Sequence, residues 1–525
     1  MPRALGTQRH LETTPLSRER LAECLGSEFR TGPDERECVD RIQLDTLDWR
    51  LYRAGRALSS ERGPRGARLV WRSLDGDAER ESLDLEVAPR FAWQLPAGPL
   101  RESLRRVARE RALLPQLVLS FDLVRTPVLD AEGVVAAWIV RERVRARANG
   151  DGREQPLPAC VELQERRGQR QAFLALGRAI QALGLERAAP DPLVAALAAL
   201  GIEPSAPPPL APAELDPDAP AAAAARAILL PLFDAMEANQ PGVALDLDPE
   251  CLHDYRVALR RARSAAKLLR AVLPPEADAL RSELRWLARL TGPVRDLDVQ
   301  LLSLADSRDA LPEALRSGLE RLAEQVARRR RAARSGLEAA LEGPRHRALL
   351  QGWRKLLDRV PSSASDATVA ALAARSIAKL YRRVRKFGRK LGKGASYEEL
   401  HELRVRCKEL RYAIDAFRSL FPAKRVERSL RPLARLQDSL GVLHDCDVQI
   451  AALEALSAEL AGSAEGERPL LAAGALIERL DRRRAKAAAR SGARIERLCS
   501  PAAERHFAAG FAAAPAAPQP PAEAR

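Results

Sequence analysis

Residues Leu252 to Pro274 read LHDYRVALRRARSAAKLLRAVLP, a histidine followed by a cation at almost every helical turn. At 100° per residue, Arg256, Arg260, Arg263 and Lys267 fall within about 80° of His253. Leu252, Tyr255, Leu259, Ala262, Ala266 and Leu269 fill the adjoining arc, so the charged stripe borders the buried face. Like charges at this spacing repel by about 0.2–0.5 kcal/mol per pair. A bound polyanion would relieve that strain. Cations rising about 5.4 Å per turn can follow a ligand that carries anionic oxygens at every phosphorus. Arginine grips phosphate with paired donors and lysine with a point charge.

The pattern is written twice. LHELRVRCKELRYAIDAFRSLFP spans Leu400 to Pro422 and places His401, Arg404, Lys408 and Arg411 where the first copy has His253, Arg256, Arg260 and Arg263. Asp415 stands where the first copy has Lys267. Further on, LRWLARL (Leu284–Leu290) answers LRPLARL (Leu430–Leu436), and RDLDVQL (Arg295–Leu301) answers HDCDVQI (His444–Ile450). Hydrophobic periodicity alone would not keep a histidine and three cations in register, so the duplication argues for a binding surface over an ordinary solvated face. Asp296, Asp298, Asp445 and Asp447 are expected to cap helix starts, with anchoring of stripe arginines as a second role.

A third basic run, RSIAKLYRRVRKFGRKLGK (Arg375–Lys393), has nine cations and no acid. Arg375, Lys379, Arg382 and Lys386 share one face, with Arg383 close by. A short antiparallel turn would set this helix beside the second histidine helix. A bound polyanion would favour the protonated form of the histidines, so binding is expected to strengthen as pH falls. His10, His346, His444 and His506 have no sequence partner and carry no site expectation.

Helices must position these rows. The sequence has 525 residues, 46% hydrophobic and 30% charged, which fits two or three globular domains. No apolar run is long enough to span a membrane and the N-terminus reads as no secretory signal. The seven cysteines form no CxxC pair, which suggests a reducing cytoplasm. Residues 221–510 hold 53 Lys and Arg against 37 Asp and Glu, while the remainder holds 33 against 34. The net charge of +15 therefore belongs to the C-terminal part, which points to a polyanionic partner there.

Residues 1–200 read as an α+β domain with antiparallel strands, including a hairpin turned at Asp130–Gly133. Residues 201–220 are rich in Pro and Ala and form a linker. Residues 221–505 read as all-α, two pseudo-symmetric four-helix bundles, with repeat 1 at 221–345 and repeat 2 at 367–497. The expected helices are 221–239, 250–271, 276–291 and 297–340, then 367–391, 397–419, 424–440 and 446–495. Residues 506–525 read as a disordered tail. Four percent aromatic content gives few platforms for stacking bases. A scaffold gripping only a nucleic-acid backbone remains a rival. No nucleophile–base pair, Walker loop, GxGxxG or HExxH appears in the helical half, and no cofactor or metal is expected there.

The paired LHDYRVALRRAR and LHELRVRCKELR, with the RDLDV segment, resemble the conserved histidine α-helical domain, CHAD, over about residues 220–500. That resemblance implies a two-bundle fold that binds inorganic polyphosphate without catalysis, with its basic positions on His253, Arg256, Arg260, Arg263, Lys267, His401, Arg404, Lys408 and Arg411. It also suggests a cytoplasmic protein targeting or scaffolding at polyphosphate granules. LDTLDWRLYRAGRAL, LDAEGVVAAWIVRERV and CVELQE resemble parts of a CYTH domain, the triphosphate tunnel fold, an antiparallel β-barrel. That family begins with Glu-x-Glu-x-Lys carboxylates that hold a metal. Here the start is PRALGTQRHLETTPLSRER, and no lysine precedes Lys267. A degenerate, inactive tunnel domain is expected, with Glu162, Arg72, Arg125 and Arg141 as residual lining. The alternative is a metal-dependent triphosphatase whose helical half captures substrate.

Overall fold

The computed structural model describes residues 7–12, 18–25, 29–63, 66–75, 80–150, 152–182, 185–187, 191–204, 213–360, 367–391, 395–462 and 466–511. Residues 512–525, Lys393 and positions 205–212 lie outside them. The chain divides into two compact units, Met1–Ala206 and Pro207–Arg525.

The first unit is an antiparallel sheet. Its strands are β1 (Thr7–Leu11), β2 (Arg30–Thr31), β3 (Glu35–Asp45), β4 (Arg56–Gly63), β5 (Gly66–Ser73), β6 (Arg80–Leu85), β7 (Leu114–Leu129), β8 (Val135–Ala148), β9 (Gln155–Pro156), β10 (Cys160–Glu165) and β11 (Glu186–Arg187). They are ordered β11-β1-β10-β8-β7-β3-β4-β5-β6, with β2 on β7 and β9 on β8. Among the described residues this is an open ladder, not the closed barrel the sequence suggested. The β7–β8 hairpin turns where expected: Asp130 accepts from Glu132 and Val134, and Gly133 takes φ +79°. Helices α1 (Arg18–Leu25), α2 (Arg50–Arg53), α3 (Pro99–Ala108), α4 (Arg170–Ala182) and α5 (Pro192–Leu200) accompany the sheet. Apolar α5 packs Leu193, Ala196 and Leu197 onto Leu117, Leu119, Phe121, Val140 and Val144 of one sheet face.

The second unit is helical: α6 (Ala223–Ala244), α7 (Pro249–Leu268), α8 (Ala277–Ser307), α9 (Glu313–Glu342), α10 (Pro344–Arg359), α11 (Val369–Gly388), α12 (Tyr397–Ala416), α13 (Ala423–Leu460), α14 (Glu467–Leu498) and α15 (Pro501–Gly510). α7 begins on Asp248, which caps Cys251 N–H, with Pro249 in the first turn. α12 begins on a reciprocal Ser396–Glu399 capping box.

Several expected boundaries move. α8 runs straight through the expected break at 291–297. Pro293 lies inside it, yet Leu284, Leu287, Thr291, Val294 and Asp298 keep the three-to-four spacing of a buried face, so core packing overrides the local breaker. α13 likewise runs unbroken from Ala423 to Leu460, and α14 is a separate helix. The buried set Leu433, Leu436, Leu440 and Leu443 repeats Leu284, Leu287, Thr291 and Val294. The long helices therefore align at the spacing of Arg295 and His444, and the match of Leu284–Leu290 to Leu430–Leu436 was three residues out of register. α10 was not foreseen; it buries His346 and Trp353. α15 occupies the start of the expected tail, with Phe507 and Phe511 buried. Part of the expected linker is fixed: Ala221 N–H donates to Ala367 O at 2.8 Å, and Val369 N–H to Ala219 O at 2.9 Å.

Candidate functional site

Helices α7 and α12 lie against each other, so the two histidine-led rows meet. Lys267 Nζ of α7 is 2.5 Å from Glu409 Oε1 of α12. The Arg260 guanidinium lies 6.0 Å from the centroid of the Tyr412 ring. On one side of this seam is a cavity of about 510 Å³ lined by Arg260, Arg263, Lys267, Arg281, Arg285, Arg404 and Lys408, with Glu409 as its acid. Among the described residues, Arg260, Arg263, Arg285 and Lys408 form no salt bridge.

The crowding shows in the electrostatics. Burial, then Arg404 and Arg260, push the Lys408 ammonium down to about 8. Arg404 is lowered by burial, against the opposing pull of Asp445. Burial lowers Arg263, with Arg285 and Arg289 adding to the effect. These groups share one partly desolvated space in which a cation costs more than in water. Such a space suits a ligand that brings several negative charges at once.

The twin Asp-x-Asp stretches are corrected. All four carboxylates sit inside continuous helices, so none caps a helix start. The first of each pair faces a stripe arginine: Asp445 is 3.9 Å from Arg404, and Asp296 acts on Arg256. The second holds an arginine of the next long helix. Arg330 Nε of α9 donates to Asp298 at 2.5 Å, and Arg484 Nη1 of α14 donates to Asp447 at 2.8 Å. The duplicated motif thus fixes both the basic row and the outer helix, once in each repeat.

The residue before each pair sits near a histidine. Arg295 helps burial lower His253. His444, which the sequence left without a role, has its ring 4.8 Å from that of His401. Tyr397 Oη and His444 Nδ1 are 2.8 Å apart. Burial, then Arg404 and His401, push His444 down to about 4.

Other predicted residues divide. Arg256 donates to Thr291 Oγ1 at 3.0 Å and is anchored to α8. Arg411 donates to Gln437 at 3.1 Å and lies 3.7 Å from Asp415. Lys379, Arg383 and Arg411 line a second cavity of about 420 Å³ on the same α7–α12 seam. Arg375, Arg382 and Lys386 are exposed on α11 and line neither cavity. Sequence reading missed Arg281 and Arg285 of α8. Their spacing of four on a helix neighbouring the stripe was the available signal.

In the first unit the expected tunnel lining is internally paired. Arg9 of β1 donates to Glu142 of β8, and its Nε lies 3.7 Å from Glu162 of β10. Arg72 donates to Asp191, the N-cap of α5, at 2.9 Å. Arg141 is 2.8 Å from Asp34, and Arg125 is 3.8 Å from Glu37.

A two-fold repeated helical unit with a basic seam is what the fold defines. Residues 227–454 match the CHAD domain family. The chain is similar to the crystal structure of the CHAD domain from the plant Ricinus communis, at 28% identity over 57% of this chain and 93% of that one, with a TM-score of 0.43. It is similar to PptA from Streptomyces chartreusis at 17% identity, over 53% of this chain and 99% of that one, with a TM-score of 0.40. No curated protein matches.

Proposed function

We propose that the helical unit binds inorganic polyphosphate along the α7–α12 seam and performs no chemistry on it. The observation that carries this reading is the 510 Å³ cavity, where cations from α7, α8 and α12 converge on a space with one carboxylate. Arg260, Arg263, Lys267, Arg404 and Lys408 hold the chain. His253, His401 and His444 continue the rows, and Arg256 and Arg411 set their neighbours in place. Polyphosphate fits better than nucleic acid because Tyr412 is the only aromatic residue in that lining, and its ring already faces Arg260.

The sheet unit is read as a CYTH-like domain that has lost its reaction. Arg9 occupies the space beside Glu142 and Glu162 where a metal would need free carboxylates, and α5 covers an adjoining part of the same sheet face. No helix among the described residues is long and apolar enough to cross a membrane. A cytoplasmic location at polyphosphate granules completes the proposal.

The test is competition. Labelled long-chain polyphosphate bound to the full chain is challenged with unlabelled polyphosphate, duplex DNA and single-stranded RNA at equal phosphate concentration. The proposal expects polyphosphate to displace the label at least tenfold more effectively. Equal displacement by nucleic acid supports a general backbone binder instead.

A further inference from the structure

The second cavity on the α7–α12 seam differs in kind from the first. One wall of it is aliphatic, with Ile228, Pro231 and Leu232 from α6, Leu268 from α7 and Leu380 from α11. Cations, including Lys379 and Arg418, stand around that wall. Glu409 and Asp415 are its acids; Glu409 is engaged by Lys267 and Arg383, and Asp415 by Arg411. Among the described residues, Lys379 forms no salt bridge.

Inorganic polyphosphate has no apolar surface, so an aliphatic wall offers it nothing and excludes water from its charges. Nor does the wall suit a nucleobase, since Tyr412 is the only aromatic residue in the lining. Aliphatic surface beside cations complements a ligand with an anionic head and a saturated tail. The volume of about 420 Å³ lies within the range of small-molecule sites. We infer that this cavity binds a monomeric alkyl phosphate or a similar single-chain anionic amphiphile. The head rests on Lys379 and the tail lies against Leu232, Leu268 and Leu380. Lys267 and Glu409 line both cavities, so an amphiphile here would touch the ion pair that borders the polyphosphate seam.

The test is calorimetric titration of the full chain with hexyl, octyl and decyl phosphate below their micelle concentrations, with inorganic phosphate as the baseline. The expected result is one site per chain and affinity that climbs with tail length, up to about fourfold per fully buried methylene. Lys379→Ala should weaken all three alkyl phosphates, and Leu380→Gln should flatten the length dependence while leaving polyphosphate binding in place. The wild-type length series is decisive even if a variant fails to fold. Affinity independent of tail length, or no stronger than for inorganic phosphate, overturns the inference. So does binding to vesicles containing phosphatidic acid without binding of the monomeric amphiphiles, because that outcome assigns the surface to a membrane.

Discussion

Lys267 and Glu409 join the two repeats through a 2.5 Å ion pair, and the pseudo-symmetric positions carry opposite charges with the signs reversed. The counterpart of Lys267 is Asp415, and the counterpart of Glu409 is Arg261, whose charge acts on Asp415. Asp415, which breaks the basic stripe when the sequence is read alone, is therefore half of a charge-swapped clasp between the histidine helices. The exchange makes the Arg261 charge favourable to Asp415 as well, whereas strict repetition would have set Lys267 opposite a cation.

Removing the acid of this clasp should favour the ligand. Glu409→Gln frees Lys267 and Arg383 and takes a negative charge from the basic cavity. Polyphosphate affinity is expected to rise several-fold at low salt. The cost in stability should be below about 1 kcal/mol, because Lys267 is half exposed. Parallel binding titrations and thermal melts check both parts.

Lys408 should set the alkaline limit of polyphosphate binding. Its ammonium titrates at about 8 in the folded chain against an ordinary 10.5, so the folded state favours the neutral amine. This penalty on folding is fully present below pH 8 and fades as pH rises toward 10.5. Bound phosphate favours the charged form, so affinity should hold below pH 7.5 and fall between about pH 8 and 9. Lys408→Met should raise the melting temperature at pH 7 by about 2 °C or more while weakening polyphosphate binding and removing that alkaline fall. A titration series over pH 7–9.5 and a melt at pH 7 measure this.

The histidines should act at lower pH. Burial and neighbouring cations hold His253 and His444 below their ordinary value, so both are mostly neutral at pH 7. A polyanion raises them, and binding should tighten as pH falls from 7 to 5.5. The sequence pointed to a pair, His253 and His401; the structure adds His444. The His253→Ala/His401→Ala/His444→Ala chain should show little of that tightening while keeping the alkaline limit set by Lys408.

The second carboxylate of each motif should matter for folding in proportion to its burial. Asp298 is 3% exposed and holds Arg330, whereas Asp447 is 16% exposed. Asp298→Ala is expected to cost about 3 kcal/mol, and Asp447→Ala clearly less. Chemical denaturation of the two variants ranks them.

How much of this was legible follows from what each signal encodes. The doubled His-x-x-Arg rows were readable because helical spacing converts sequence position directly into a face, and the pairing of α7 with α12 follows from the repeat. For Arg281 and Arg285 the spacing of four marks a shared helix face, but their place in the cavity beside Arg263 depends on the packing of α8 against α7. The Asp-x-Asp pairs were misread as caps since Gly292-Pro293 looks like a break. The buried spacing of Leu284, Leu287, Thr291 and Val294 runs through it, and that longer-range pattern wins. In the sheet unit, the β7–β8 hairpin was visible as two strand-like runs around the Asp130–Gly133 turn. The seating of α5 and the placement of Arg9 beside Glu142 and Glu162 depend on register between distant strands, which no local pattern reports.

The central claim is tested most directly by calorimetric titration of the full chain with long-chain polyphosphate across a salt series, beside the Arg260→Ala/Arg404→Ala/Lys408→Ala variant. Wild type should bind tightly, with an affinity that weakens steeply with salt. The variant should lose at least a hundredfold in affinity and show a shallower salt slope. Equal affinity and equal salt slope in the two proteins would contradict the claim.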